Sequence, residues 1–424
     1  MVSLLFLLPC FSLPIQIFTM KFSFNTWKEE ISLAVLLAGA IVSVKATQPA
    51  PPDSTSARIL QAKPGASVEL PEFAFQKARQ LSYRKLVLPG PQFLISDDPE
   101  YIRVPEAAVF RERVLPGTVR FYLYNVNGVK EPQKMDRKIT ALIRNLGPGP
   151  MRLQMLKYSA QPPGGDYLKI GSQGLADYFA SQPSPKVRQV KAGQAVALDE
   201  KWEKTTVSYD DLVHGFYEFL IDQPAEITVL QTSPGTPGPT ALARNPPVLP
   251  GKSKSGAGRG VFGVSNYRVQ PDSVFDTRHG AAEITVADGQ RDPWVEGTAS
   301  HTSETAVLKG NYGVLYDINI RWRSTDGRGL ALLTRNARGG GPNNNWCGAM
   351  ATSVVVSAGL HPGGIVKLPS DKAATKKEPE AVVIQVFAPP ADGQEQLIHL
   401  TYSPPGASCL PTPITLVPVD MQAK

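Results

Sequence analysis

From Tyr316 to Trp322 apolar and polar side chains alternate without a break, and Val314 continues the apolar row. Val314, Tyr316, Ile318, Ile320 and Trp322 point one way, and Leu315, Asp317, Asn319 and Arg321 the other. A period of two marks a half-buried β-strand. The pattern recurs: Val119, Phe121 and Leu123 alternate with Arg120, Tyr122 and Tyr124, and Met151, Leu153 and Met155 with Arg152 and Gln154. Lys138–Asn145, Phe216–Ile221, Glu226–Leu230, Leu330–Thr334, Ser353–Val356, Ala381–Phe387, Leu397–Thr401 and Ile414–Val417 read as further short strands. With 39 prolines and 36 glycines, the chain is interrupted too often for long helices. Only Gly174–Ser181, with Leu175, Tyr178 and Phe179, has helical spacing. The Gly-Pro-Gly-Pro run 147–150 reads as a turn that folds 138–145 and 151–156 into a hairpin. The expected fold is all-β: two β-sandwich-like domains joined by a Pro/Gly-rich linker, with few short helices.

The organisation along the chain starts with a leader. Lys21 and Lys28 precede the uncharged run Ile31–Val44, and Val44-Lys45-Ala46 closes it. A basic start, an apolar run and a small-residue end are the layout of a secretory signal peptide. The run is shorter than the roughly 20 residues a membrane span needs, so no stable span is expected after cleavage. Residues 1–19 carry no positive charge and read as a mis-called start before Met20. After the leader, 1–46, the sequence predicts a disordered tether over 47–66, a first β-rich domain over 67–231, a linker over 232–260 and a second β-rich domain over 261–420. Residues 370–380 read as an exposed charged loop.

Export fixes the reading of the cysteines. Of three, Cys10 lies in the leader, leaving Cys347 and Cys409 as an even pair. A disulfide is expected between them in an oxidising compartment. On the chain-entropy model, closing a loop of roughly 60 residues stabilises the fold by about 4 kcal/mol. The net charge of +7 is dispersed along the chain. No basic stripe suited to nucleic acid stands out.

Motifs with chemistry are sparse. The five histidines show no pair at zinc-binding spacing, so no metal or cofactor is expected. Gly256–Gly260 lacks the strand-to-helix setting of a phosphate loop, and the Gly-X-Ser-X-Gly esterase signature is absent. Two carboxylate clusters provide weak acid/base candidates: Asp97 with Glu100, and Asp292 with Glu296. A glycosidase needs two facing carboxyls about 5–10 Å apart. The alternative for Asp97-Asp98-Pro99-Glu100 is a turn. Aromatic residues near Gly- and Asn-rich turns point instead to sugar stacking. Asn311 and Tyr312, with Trp294 and Trp346, are the expected ligand-binding residues, and Tyr122 and Tyr124 are read as facing outward.

Several runs resemble a group of bacterial exported proteins known by a stalk or copper amine oxidase N-terminal-like domain that many members also carry. The runs are 96–100 (SDDPE), 117–127 (GTVRFYLYNVN), 166–171 (DYLKIG), 259–262 (RGVF), 292–297 (DPWVEG), 308–316 (LKGNYGVLY) and 332–341 (LLTRNARGGG). The resemblance covers roughly residues 85–370 and does not extend to the stalk domain. It implies export, an extracellular, cell-surface or periplasmic setting, and β-rich architecture; it implies no reaction. The functional expectation is a non-catalytic envelope protein that binds a glycan or wall polymer. A secreted polysaccharide or peptidoglycan hydrolase, and a purely structural envelope protein, are the alternatives.

Overall fold

A computed structural model describes residues 54–424 except 252–257, 301, 303–304, 338–351, 370–379 and 424. The chain parts into two units, 1–50 and 51–424, and every described residue belongs to the second. The leader, Trp346, Cys347 and nearly all of the charged loop 370–380 therefore lie outside the described residues.

The described residues form an all-β fold of four sheets. A nine-strand sheet runs in the order Val187–Val190, Met151–Gly164, Leu212–Ile221, Gly117–Asn127, Gln92–Ser96, Arg259–Phe262, Val295–Thr298 and Thr305–Leu308, with Tyr101–Ile102 also paired to Gly117–Asn127. On one face it packs against a four-strand sheet, Ala195–Ala197, Lys138–Asn145, Ala225–Thr232 and Ala107–Val114. The remaining strands make a seven-strand sheet centred on Leu315–Arg323 and a six-strand sheet centred on Gly329–Thr334 and Thr412–Val419. These two share a core with the other face of the nine-strand sheet.

The alternation in the sequence maps onto these faces. Tyr316, Ile318, Ile320 and Trp322 are fully buried, while Arg321 is exposed. On Gly117–Asn127, Val119, Phe121 and Leu123 enter the core shared with the four-strand sheet. Tyr122 and Tyr124 are not outward: they are 2% and 3% exposed, because the second core covers their face. A period of two cannot distinguish a solvent-facing row from one covered by a third layer.

The expected hairpin is also corrected. Lys138–Asn145 pairs within the four-strand sheet and Met151–Gly164 within the nine-strand sheet. Pro148 and Pro150 lack the N–H groups a ladder needs. Asn145 instead holds the crossing, accepting from Gly147 N at 2.8 Å and donating to Gly149 O at 2.7 Å.

Residues 54–61 of the expected tether form the helix Ser54–Gln61, with Ile59 fully buried against Leu70, Phe75 and Leu333. The expected linker is equally engaged. Helix Gly238–Ala243 buries Ala241 and Leu242 against Ala108 and Leu142, and Leu249 N donates to Ala108 O at 2.9 Å. The halves also exchange strands. Ser67–Glu69 and Tyr83–Leu88 pair with Glu380–Phe387 and Asn266–Pro271, while Arg259–Phe262 pairs with Gln92–Ser96. Among the described residues no helix is long and apolar enough to cross a membrane.

Candidate functional site

Three places collect polar side chains among the described residues; Asn311, Trp294, Asp292 and Glu296 lie at or beside the first, and Asp97, Glu100 and Tyr312 at the second. The first is built on the turn 288–292. Asp288 Oδ1 accepts from the N–H groups of Gln290 and Asp292, both at 2.9 Å. The turn inserts Asp292, fully buried, between elements. Its Oδ1 pairs with Lys85 Nζ, and its Oδ2 accepts from Ala287 N at 2.7 Å and Tyr316 OH at 2.6 Å. Asn311 Nδ2 donates to the Tyr316 hydroxyl oxygen at 2.8 Å, and Asn311 Oδ1 accepts from Val295 N at 2.8 Å. Lys85 Nζ lies 4.1 Å from the Tyr267 ring centroid. Burial, then the Asp292 charge, pushes the Tyr316 phenol far above its ordinary range.

This network bolts an edge strand, two turns and a central strand together, and it leaves nothing for a ligand. Asp292 is sealed from solvent, which removes it as an acid/base group. Asn311 is also fully buried, with its amide spent on Val295, Pro293 and Tyr316, so it does not belong to a binding surface. Glu296 is exposed on Val295–Thr298, and its side chain makes no hydrogen bond or ion pair among the described residues. The half-buried Trp294 packs on Gly289, where an added Cβ would lie 2.5 Å from its ring. No ring contact joins Trp294 to Tyr312 among the described residues. The expected aromatic platform is not assembled by the residues that are described.

The second place is an acidic-aromatic seam. Tyr122 and Tyr124 stack with centroids 6.2 Å apart, and His214 meets them edge-on at 5.2 and 6.3 Å. The loop at 404–408 closes over them, with Gly406 N donating to Tyr122 OH at 2.9 Å. Tyr312, half-buried, packs against the same core. It sits in a tight turn with positive φ at Gly310, Asn311 and Gly313. At the end of Gln92–Ser96, burial raises the Asp97 carboxyl well above its ordinary range, and the charges of Glu100 and Asp98 raise it further. Burial raises the Tyr124 phenol well above its ordinary range, and Tyr122, Asp97, Glu100 and Tyr312 raise it further. The fold thus brings Tyr312 to the same buried tyrosine as the Asp97–Glu100 turn.

The third place was not singled out in the sequence. A cleft of about 710 Å³ opens at the rim between the nine-strand and seven-strand sheets, lined by two proline turns, 89–92 and 115–118, and by Arg120, Glu218 and Asn266. Its walls are latched: Gln92 Nε2 donates to Leu115 O and Leu115 N donates to Gln92 Oε1, both at 2.8 Å. Asn266 Nδ2 holds the other wall through Pro89 O at 3.1 Å. On the floor, Arg120 and Glu218 are a cross-strand pair with side chains 3% and 19% exposed. Arg120 donates to Glu218 Oε2, Ser265 O, Asn266 Oδ1 and Tyr178 OH. Tyr178 OH also donates to Glu218 Oε2, at 2.9 Å. The signal available in the sequence was the repeated Pro-Gly turn before a strand, at Pro89-Gly90-Pro91 and Pro116-Gly117.

The described residues hold no cluster of three or more His, Cys, Asp or Glu groups able to bind a metal ion. Comparison with models of known protein families and with curated proteins finds no match.

Proposed function

We propose that this is an exported, non-catalytic protein of the cell envelope or its surroundings that binds a glycan or wall polymer in the cleft beside Arg120 and Glu218. The observation that carries the reading is the cleft itself. Its volume falls within the range of small-ligand sites, it lies where two sheet layers meet, and its walls are pre-set by prolines and the Gln92 latch. Export rests on the leader-like segment 1–46 and on the resemblance to bacterial exported proteins. The same setting supports a Cys347–Cys409 disulfide. Peptide mapping without reduction should recover the two cysteines on one linked fragment, and free thiols at both would contradict the pairing.

A hydrolase is the second reading, and the raised Asp97 carboxyl beside Glu100 favours it. A carboxyl that burial keeps protonated can serve as a general acid. The two readings differ in their products. Incubated with insoluble wall and polysaccharide fractions, a binder co-sediments and releases no soluble sugar. Sugar release that disappears in Asp97→Asn would establish the hydrolase.

A further inference from the structure

We infer that the cleft takes a neutral, hydroxyl-rich glycan segment and discriminates against acidic envelope polymers, an inference that rests on the binding role proposed above. The chain's net charge of +7 would by itself draw polyanions. The cleft is built otherwise. Arg120 and Glu218 are the charged residues among those lining it, and they offset each other. The guanidinium is almost wholly buried, with Nη1 committed to Ser265 and Asn266, and Nε and Nη2 to Glu218. It has little left to offer a phosphate or uronate, which bind best through a free, planar guanidinium fork.

Glu218 is arranged the other way. Oε2 takes the bonds from Arg120 and Tyr178, while Oε1 receives none among the described residues. An acidic group entering the cleft would meet this carboxylate oxygen with no spare cation to offset it. A sugar hydroxyl can donate to Oε1 and accept from the hydroxyl of Thr118, which also lines the cleft. Neither contact requires a net charge to be desolvated. The rings of Pro89, Pro91 and Pro116, with Leu115 at 70% exposure, provide an apolar wall for the C–H face of a sugar ring.

The test titrates the purified protein with laminarin, xylan and galactomannan as neutral probes and with polygalacturonate and lipoteichoic acid as polyanions. Each titration is run at low and high salt. The wild type is compared with Thr118→Trp, which fills the cleft, and Thr118→Val, which removes only the hydroxyl. The expected result is saturable binding of a neutral probe that salt changes by less than about twofold. Thr118→Trp should abolish it and Thr118→Val should weaken it about five- to tenfold, the effect of one lost hydrogen bond. Thr118→Val, nearly isosteric, keeps the test decisive should the tryptophan variant misfold. Salt-sensitive binding of a polyanion, lost in Thr118→Trp, would overturn the neutral preference while leaving the cleft as the binding site. Binding indifferent to both substitutions, or no binding by any probe, would overturn the cleft reading and this inference with it.

Discussion

Removing the Asp292 carboxylate would leave the Lys85 ammonium and the Tyr316 hydroxyl in the interior without their shared partner. Breaking one side of a buried pair costs about 3–5 kcal/mol. Asp292→Ala should therefore lower the denaturant midpoint sharply, whereas Glu296→Ala, at an exposed position, should change stability by less than about 0.5 kcal/mol. Equal, small effects would contradict the bolt. Asp97 behaves oppositely. Its folded carboxyl holds its proton more tightly than the unfolded one, so its contribution favours folding at low pH and is lost as pH rises from the unfolded value through the folded one. At pH 7 Asp97→Asn should raise the melting temperature, and a lowered one would show that the charge is needed. The sequence signalled the turns at 97–100 and at 310–313. It could not signal orientation, because Asn311 and Asp292 look alike whether they meet a ligand or a buried backbone.

Strands were the legible elements: Lys138–Asn145 and Ser353–Val356 match to the residue, although nearly every side chain in both is buried, so the pattern marked the strand and not its exposed face. The helix was half-legible. It spans Tyr167–Ala180, starting before the expected Gly174, with Asp166 capping Lys169 N at 3.2 Å. Leu168 and Ile170 in the first turn are buried, and Gly174 lies directly on the His214 ring. A Cβ there would sit 2.2 Å from His214 Cε1. Gly174→Ala should cost about 1–3 kcal/mol through overpacking, measured by denaturant unfolding, and a neutral result would mean the helix floats freely on the sheet. Complete burial lowers the His214 pKa to about 4, the Asp177 charge on the helix opposing that shift. The unfolded chain binds a proton there near pH 6.5 and the folded chain does not until about pH 4. Stability is therefore lost as pH falls through that window, by about 3 kcal/mol when complete. Between pH 7 and pH 4 the unfolding free energy of the wild type should fall relative to that of His214→Phe by about 3 kcal/mol. Parallel curves would contradict the assignment.

At the scale of the whole molecule, the all-β class was legible and the partition was not. Pro and Gly density marked 232–260 as a linker, yet its helix docks and its end joins a sheet. Composition reports local backbone habits, while the exchange of 67–69 and 83–88 into sheets built mostly from the second half depends on contacts hundreds of residues apart. Interlocked strands and a shared core should unfold together. Calorimetry should show one cooperative transition, and two well-separated ones would favour independent domains. The cleft escaped the sequence for the same reason: Gln92, Thr118, Glu218 and Asn266 are unremarkable one by one and meet only at the seam. Co-sedimentation of wild type and Thr118→Trp with insoluble wall polysaccharide tests that seam most directly. The wild type should pellet and the variant should stay in solution; equal pelleting of two folded proteins would place binding elsewhere and contradict the role assigned to the cleft.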